Sequence, residues 1–257
     1  MPAAHLTSLV APTDDDARSP RAVERGPVPR WVLVVTVGLL VVSNLMSNRV
    51  LSPAWYVPWN VTVALALVAL ALGPGRRHLA ELALSPRDGR AGLRWGVALA
   101  GAVVAVYVVA LALPFTRGLF HDRRVGQVAV STMLFSTLVR IPFGTELLEE
   151  LAFRAVLPGL FGPTLGRWRA AVAASVLFGL WHVLPAWHLS TVNPVASAAL
   201  AGAAGPSITI GLGVMGTALA GLFFCWLRYR SRSVVAPALL HLATNSLGYL
   251  IAWFVLR

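Results

Sequence analysis

The sequence is short of charge. Only 12% of its 257 residues are Asp, Glu, Lys or Arg, about half the roughly 25% usual in a soluble domain. Too little polar surface is present to solvate a globular domain in water. A mean hydropathy of +0.73 excludes a disordered chain as well. Lysine is absent, so all 21 basic residues are Arg, and acids number only 10. Cys225 is the single cysteine, which excludes an intramolecular disulfide and any CxxC or multi-Cys zinc centre.

What the chain has instead is apolar length. Runs near the ~20 residues that cross a bilayer recur along it, predicting an all-α, polytopic transmembrane helix bundle of the cell membrane with lipid as its solvent. Spans are expected at 31–47, 55–72, 95–113, 170–187, 206–227 and 234–256. Trp31, Trp55, Trp95, Trp187 and Trp253 sit at or near their ends, as interfacial aromatics do. Residues 1–30, with Asp14-Asp15-Asp16 and Arg18, Arg21, Arg25 and Arg30, lack apolar periodicity and read as a disordered cytoplasmic tail. The following run reads as a signal anchor rather than a cleaved peptide. Residues 31–257 form the bundle.

The formal charge of +11 reports topology rather than nucleic acid, because the arginines fall in short segments between apolar runs and no polar domain offers a basic face. Arg76, Arg77, Arg87, Arg90 and Arg94 put the 74–94 loop inside; Arg167 and Arg169, then Arg228, Arg230 and Arg232, do the same further on. The N-terminus is then cytoplasmic, and residues 125–161 must cross an odd number of times, most simply once. That stretch is expected as a tilted lead-in up to Pro142, followed by a spanning helix from about Gly144 to Phe161. The total is seven crossings, or eight membrane helices if 127–141 is embedded separately.

Three of the ten acids, Glu146, Glu149 and Glu150, fall within five residues inside that helix. An ionised group at the bilayer centre costs roughly 2.5–3.5 kcal/mol on insertion scales, so the cluster marks a functional site. Glu150 and Arg154 are four apart, on one helix face, and are expected to pair. Glu149 is rotated about 100° away, with no cation at i+3 or i+4, and an unpaired carboxyl in an apolar setting suits a general base. Later spans carry Phe178-x-x-x-His182 and His241-x-x-x-Asn245, each putting polar groups one turn apart on one face. A carboxyl, a histidine and a histidine with an asparagine could activate water and stabilise an oxyanion. Glu149, His182 and His241 are equally a catalytic zinc ligand set of two His and one carboxylate. Read singly, each is as easily an ion pair, a capped histidine or interhelical hydrogen-bond glue.

Taken together and in order, Glu149-Glu150-x-x-x-Arg154, Phe178-x-x-x-His182 and His241-x-x-x-Asn245 resemble the three-motif signature of the CPBP family, the CAAX-prenyl-protease and bacteriocin-processing (Abi) membrane proteases. The stretch EELAFRAVL differs from the common pattern in having Ala155 where a Gly often follows the Arg. The resemblance covers about Gly144 to Tyr249 and implies a protease core over about 127–257. It implies an intramembrane endopeptidase with its site open to the cytoplasmic leaflet, acting on a peptide or protein substrate. In that reading Glu149 activates water with His182, His241 and Asn245 form the oxyanion hole, and Glu150 with Arg154 holds the site. The family is often named as metalloproteases, whereas the chemistry of its characterised members favours glutamate without bound metal; no cofactor is the favoured reading and zinc the alternative. The rival functions are a non-catalytic scaffold or bacteriocin-immunity protein on the same fold, and a proton-coupled transporter. Against the transporter, the polar residues cluster in the C-terminal half with no matching set before them.

Overall fold

The computed structural model describes residues 27–122, 125–126, 128–187 and 205–257. Most of the predicted tail and of the predicted 188–205 loop lie outside these residues. All regular structure among the described residues is helical. Six helices among the described residues are long and apolar enough to cross a membrane. Helix α1 runs Arg30–Leu45 and continues in a wider π-helical turn, Met46–Val50. Helices α2 (Pro53–Leu72) and α3 (Gly89–Ala112) follow. After a seventh helical run, α4, over 130–165, come α5 (Arg167–Trp181), α6 (Gly205–Ser231) and α7 (Val235–Val255). The predicted spans thus form, each within a few residues of its expected ends. In a bilayer only structures that satisfy their own backbone can cross, and helices do so within one segment.

Helix α4 departs from expectation. In place of a lead-in that stops at Pro142 and a separate spanning helix, one helical run passes through the proline. Its pitch widens to π-helical over Ser136–Glu146 and again over Leu151–Val156, so that the Leu147 N–H reaches the Pro142 carbonyl and the Leu157 N–H that of Ala152. Widening absorbs the missing proline donor that would otherwise break the ladder, and such π turns recur at functional sites. The run closes at Gly166, whose φ of +75° lies where only glycine is unstrained. That one residue separates α4 from α5.

The contacts fix how the helices run. At one end the Val234 N–H donates to the Ala83 carbonyl (3.0 Å), Arg232 pairs with Asp88 (3.1 Å), and the Tyr229 hydroxyl donates to the Arg167 carbonyl (3.2 Å). The three arginine-bearing connections therefore meet on one side. At the other end the Trp253 indole donates to the Val128 carbonyl (2.9 Å), and the Asn44 amide to that of Trp181 (2.8 Å). Helix α4 starts at this second end and finishes at the first, crossing once and bringing the crossings among the described residues to seven. It packs on α2, α5 and α7. Leu148, Ala152, Phe153, Val156 and Leu160 of α4 meet Val63, Ala64 and Leu67 of α2 and Phe178 of α5 in the main core. Small residues at these contacts let the backbones approach closely. Between α1 and α2 a polar clamp replaces them: Ser43 and Ser47 donate to the Asn60 carbonyl oxygen (3.3 and 2.9 Å). Asn60 opens the Asn60-Val-Thr62 sequon, and it is buried.

Candidate active site

The three glutamates sit on the middle of α4: Glu149 and Glu150 in the short α-helical turn Leu147–Glu150 between the two widened segments, and Glu146 at the end of the first of these. All three are buried. His241, on α7, is buried against them. Its Nδ1–H donates to Glu150 Oε1 at 2.8 Å, and its Nε2 stands 3.8 Å from Glu149 Oε2. Because the carboxylate fixes which nitrogen carries the proton, Nε2 is the atom turned toward Glu149. Glu149 is held from the other side by the Trp181 indole, which donates to Oε1 at 2.9 Å. Its Oε2 has no hydrogen-bond partner.

Glu150 does meet Arg154, but the pair is not the self-contained bridge that the i, i+4 spacing predicts. Arg154 Nε lies 3.5 Å from Glu150 Oε1, the oxygen that His241 approaches more closely. None of the three guanidinium nitrogens makes a hydrogen bond. The fully buried guanidinium is instead held between rings, 3.8 Å from the centroid of Phe178 and 4.8 Å from that of Phe224. Desolvated cation–π contacts of this kind contribute on the order of 2 kcal/mol each. Arg154 therefore supplies positive charge to the cluster from a fixed place rather than closing it off.

His182 lies at the C-terminal end of α5 and is half-buried. Its Nδ1–H donates to the Phe178 carbonyl at 2.8 Å, and its ring stands edge-on to Phe178 at 4.6 Å. Phe178 also stands edge-on to His241, at 6.0 Å between centroids. Both site histidines are thus anchored through Nδ1, leaving Nε2 to act. Asn245 is exposed, one turn beyond His241, and is near Glu146. Both carboxylate oxygens of Glu146 are buried without a hydrogen-bond partner. Cys225 is buried against the Phe153 carbonyl and Ser175, away from the motif side chains.

Among the described residues no group of three or more His, Cys, Asp or Glu side chains is arranged to hold a metal ion. A catalytic zinc needs three protein ligands converging within about 2.3 Å of one point. Glu149 and His241 are neighbours, but His182 does not join them to complete a set of three. As placed, Glu149, His182 and His241 do not fit zinc.

Three contributors escape the motifs. Trp181 precedes a motif histidine, and only the fold shows that its indole serves Glu149. Phe224 belongs to no motif. Glu146 stands out in the sequence as one of three clustered acids, yet nothing in the spacing separates its role from theirs. An apolar cavity of about 300 Å³ borders the site, walled by Leu40, Asn44, Phe153, Leu177, Trp181 and Leu184.

Residues 129–247 match the family model described as type II CAAX prenyl endopeptidase, Rce1-like. That stretch contains every motif residue of the site, so the resemblance drawn from the three motifs is shown there. No curated protein and no solved structure matches the chain.

Proposed function

We propose that this protein is an intramembrane endopeptidase in which Glu149 activates water for attack on a peptide bond. The observation that carries this reading is the unpartnered Glu149 Oε2, facing His241 Nε2 across 3.8 Å inside a buried cluster. The gap is too long for a direct hydrogen bond, and it leaves both buried atoms to share a water when the cluster opens to admit one. The neighbouring apolar cavity, which Trp181 also lines, gives an apolar substrate segment a way to the same place.

Glu149 takes a proton from the water as its oxygen bonds to the scissile carbonyl carbon. His182 stands outside that pair, and its free Nε2 assists by accepting from a second water that is hydrogen-bonded to the first. Protonated His241, its charge balanced by Glu150, donates Nε2–H to the developing oxyanion, and the Asn245 amide adds a second donor. Donors placed in advance in a dry site are worth far more than in water. When the intermediate collapses, the amine leaves with the proton held by Glu149. Arg154 offsets the charge of the glutamates throughout.

The test is cleavage of a membrane-anchored peptide library by the full chain in lipid nanodiscs, with products read by mass spectrometry. Glu149→Gln keeps the size of the side chain and its contact with Trp181 but removes the base. Turnover is expected to fall about 10²–10⁴-fold, with the melting midpoint nearly unchanged. A chelator should leave the wild-type rate as it is. Turnover within twofold of wild type in Glu149→Gln would overturn the assignment, and chelator-sensitive activity restored by zinc would overturn the metal-free roles. A wild type that cleaves nothing would favour the scaffold reading.

A further inference from the structure

Away from the glutamates, at the end where the three arginine-bearing connections meet, lies a second cavity of about 510 Å³. Arg167, Arg228, Tyr229 and Arg232 line it together with Glu81 and Asp88. The charges there do not balance. Asp88 is paired with Arg232 at 3.1 Å, and Glu81 with Arg77 at 3.2 Å. That leaves Arg167 and Arg228, neither of which has a carboxylate partner among the described residues. Both are nevertheless fixed. The guanidinium of Arg167 lies 4.2 Å from the centroid of the Tyr229 ring, and that of Arg228 lies 4.5 Å from it. Tyr229 in turn is tied back to the Arg167 carbonyl.

Arg228 makes the arrangement more than a basic surface. It is 5% exposed; one terminal nitrogen donates to the Glu81 carbonyl, while its Nε is buried with no partner. A buried guanidinium short of a hydrogen bond is costly, and a second like charge gathered round the same ring raises that cost. One group that answers both is a doubly charged anion with several acceptor oxygens. The planar fork of arginine matches phosphate oxygens two at a time, with stronger bonds than neutral pairs make.

We propose that Arg167 and Arg228, ordered by Tyr229, form a binding site for a doubly charged phosphate group at this face of the bundle. The arginine distribution predicts this face to be the cytoplasmic one, so the group comes from an anionic lipid headgroup with a terminal phosphate or from free phosphate in the adjoining water. The site is separate from the glutamate cluster and independent of the protease reading.

The test uses the full chain in phosphatidylcholine nanodiscs, with the unfolding midpoint followed at constant ionic strength. Inorganic phosphate is titrated against chloride in one arm; in the other, the discs are doped with phosphatidic acid, with phosphatidylserine as an equally anionic lipid lacking a terminal phosphate. A rise on the order of 5 °C at saturation is expected in at least one arm. A rise with phosphatidic acid alone assigns the phosphate to lipid, and a rise with inorganic phosphate assigns it to the soluble anion. Arg167 is exposed, so Arg167→Gln should fold and weaken binding roughly tenfold or more. Arg169→Gln, in the same turn and outside the cavity, should bind as wild type, and Arg228→Lys should bind weakly while keeping the buried charge. No rise over chloride and phosphatidylserine in either arm, or equal losses in Arg167→Gln and Arg169→Gln, would overturn the proposal.

Discussion

Helices α3 and α4 invert the rule that governs a soluble protein. Helix α3 belongs to the most apolar of the candidate spans, and only Gly92 and Gly96 along its length are buried. Helix α4 carries Arg140, Glu146, Glu149, Glu150 and Arg154, too many charges to count among the apolar spans, and all but Arg140 are buried. In water the apolar helix would be the core and the charged one the surface. In a bilayer lipid solvates α3 as well as any side chain does, while only other protein groups can solvate α4. In such a bundle the buried interior is where charge collects, and chemistry goes with it.

Removing one charge from α4 should break the comparison most severely. In Arg154→Met the buried cation is lost and Glu150 keeps only His241 as partner. Breaking a buried pair in this way costs about 3–5 kcal/mol, to be read as a fall in thermal midpoint and yield of the purified protein. Because the guanidinium rests on Phe178 and Phe224, Arg154→Lys should recover only part of the loss, since ammonium neither stacks nor forks as guanidinium does. A double Glu150→Gln/Arg154→Met change should be milder than the single one. An Arg154→Met protein as stable as the parent would show that the charge is not needed to solvate the cluster.

Adding one charge to α3 should come next. Val104 is exposed on that helix, and Val104→Arg should cost roughly 2.5–3.5 kcal/mol of insertion free energy. Glycosylation-site mapping of the span in microsomes would measure it. Val104→Leu should stay within about 0.5 kcal/mol of wild type, as substitutions away from packed features do. An arginine accepted at 104 without loss of insertion would mean that α3 does not face lipid.

The same contrast explains what the sequence disclosed. Six spans could be read almost to their ends because hydropathy acts locally, and the bilayer demands unbroken apolar length. Helix α4 was legible only as a crossing. Its continuity through Pro142 depends on a change of pitch that α2 and α7 support from outside. Of the site, Glu149, Glu150, Arg154 and His241 come together, and the spacing on each helix shows which residues share its face. The partners across helices could not be read. That Glu150 serves His241 as well as Arg154, that two rings hold the Arg154 guanidinium, and that Trp181 anchors Glu149 depend on residues 24 to 91 apart in the chain. The pairing of Arg167 with Arg228 around Tyr229 is of the same kind, two ordinary loop-end arginines until the fold sets them on one ring.

The one part of α3 that is buried should give the smallest of the three effects, and it ties the two regions together. Gly92 and Gly96, four apart, face α7. A Cβ on Gly96 would stand 2.7 Å from Leu239 Cδ1 and 2.8 Å from Leu239 Cβ, so any side chain must push the helices apart. Without a hydrophobic force between helices in lipid, such small-residue contacts are what hold them together. Gly96→Ala should therefore destabilise by about 1–3 kcal/mol, the usual cost of overpacking, seen as a lower thermal midpoint. Leu239 is two residues before His241, so the displacement reaches the site. Turnover should fall in Gly96→Ala and recover when Leu239→Ala makes room, whereas Gly101→Ala, with open space around it, should change neither. If Gly96→Ala leaves both midpoint and turnover alone, α3 is a lipid-facing bystander. If both fall and are rescued together, the apolar helix holds α7, and with it His241, in place against the charged one.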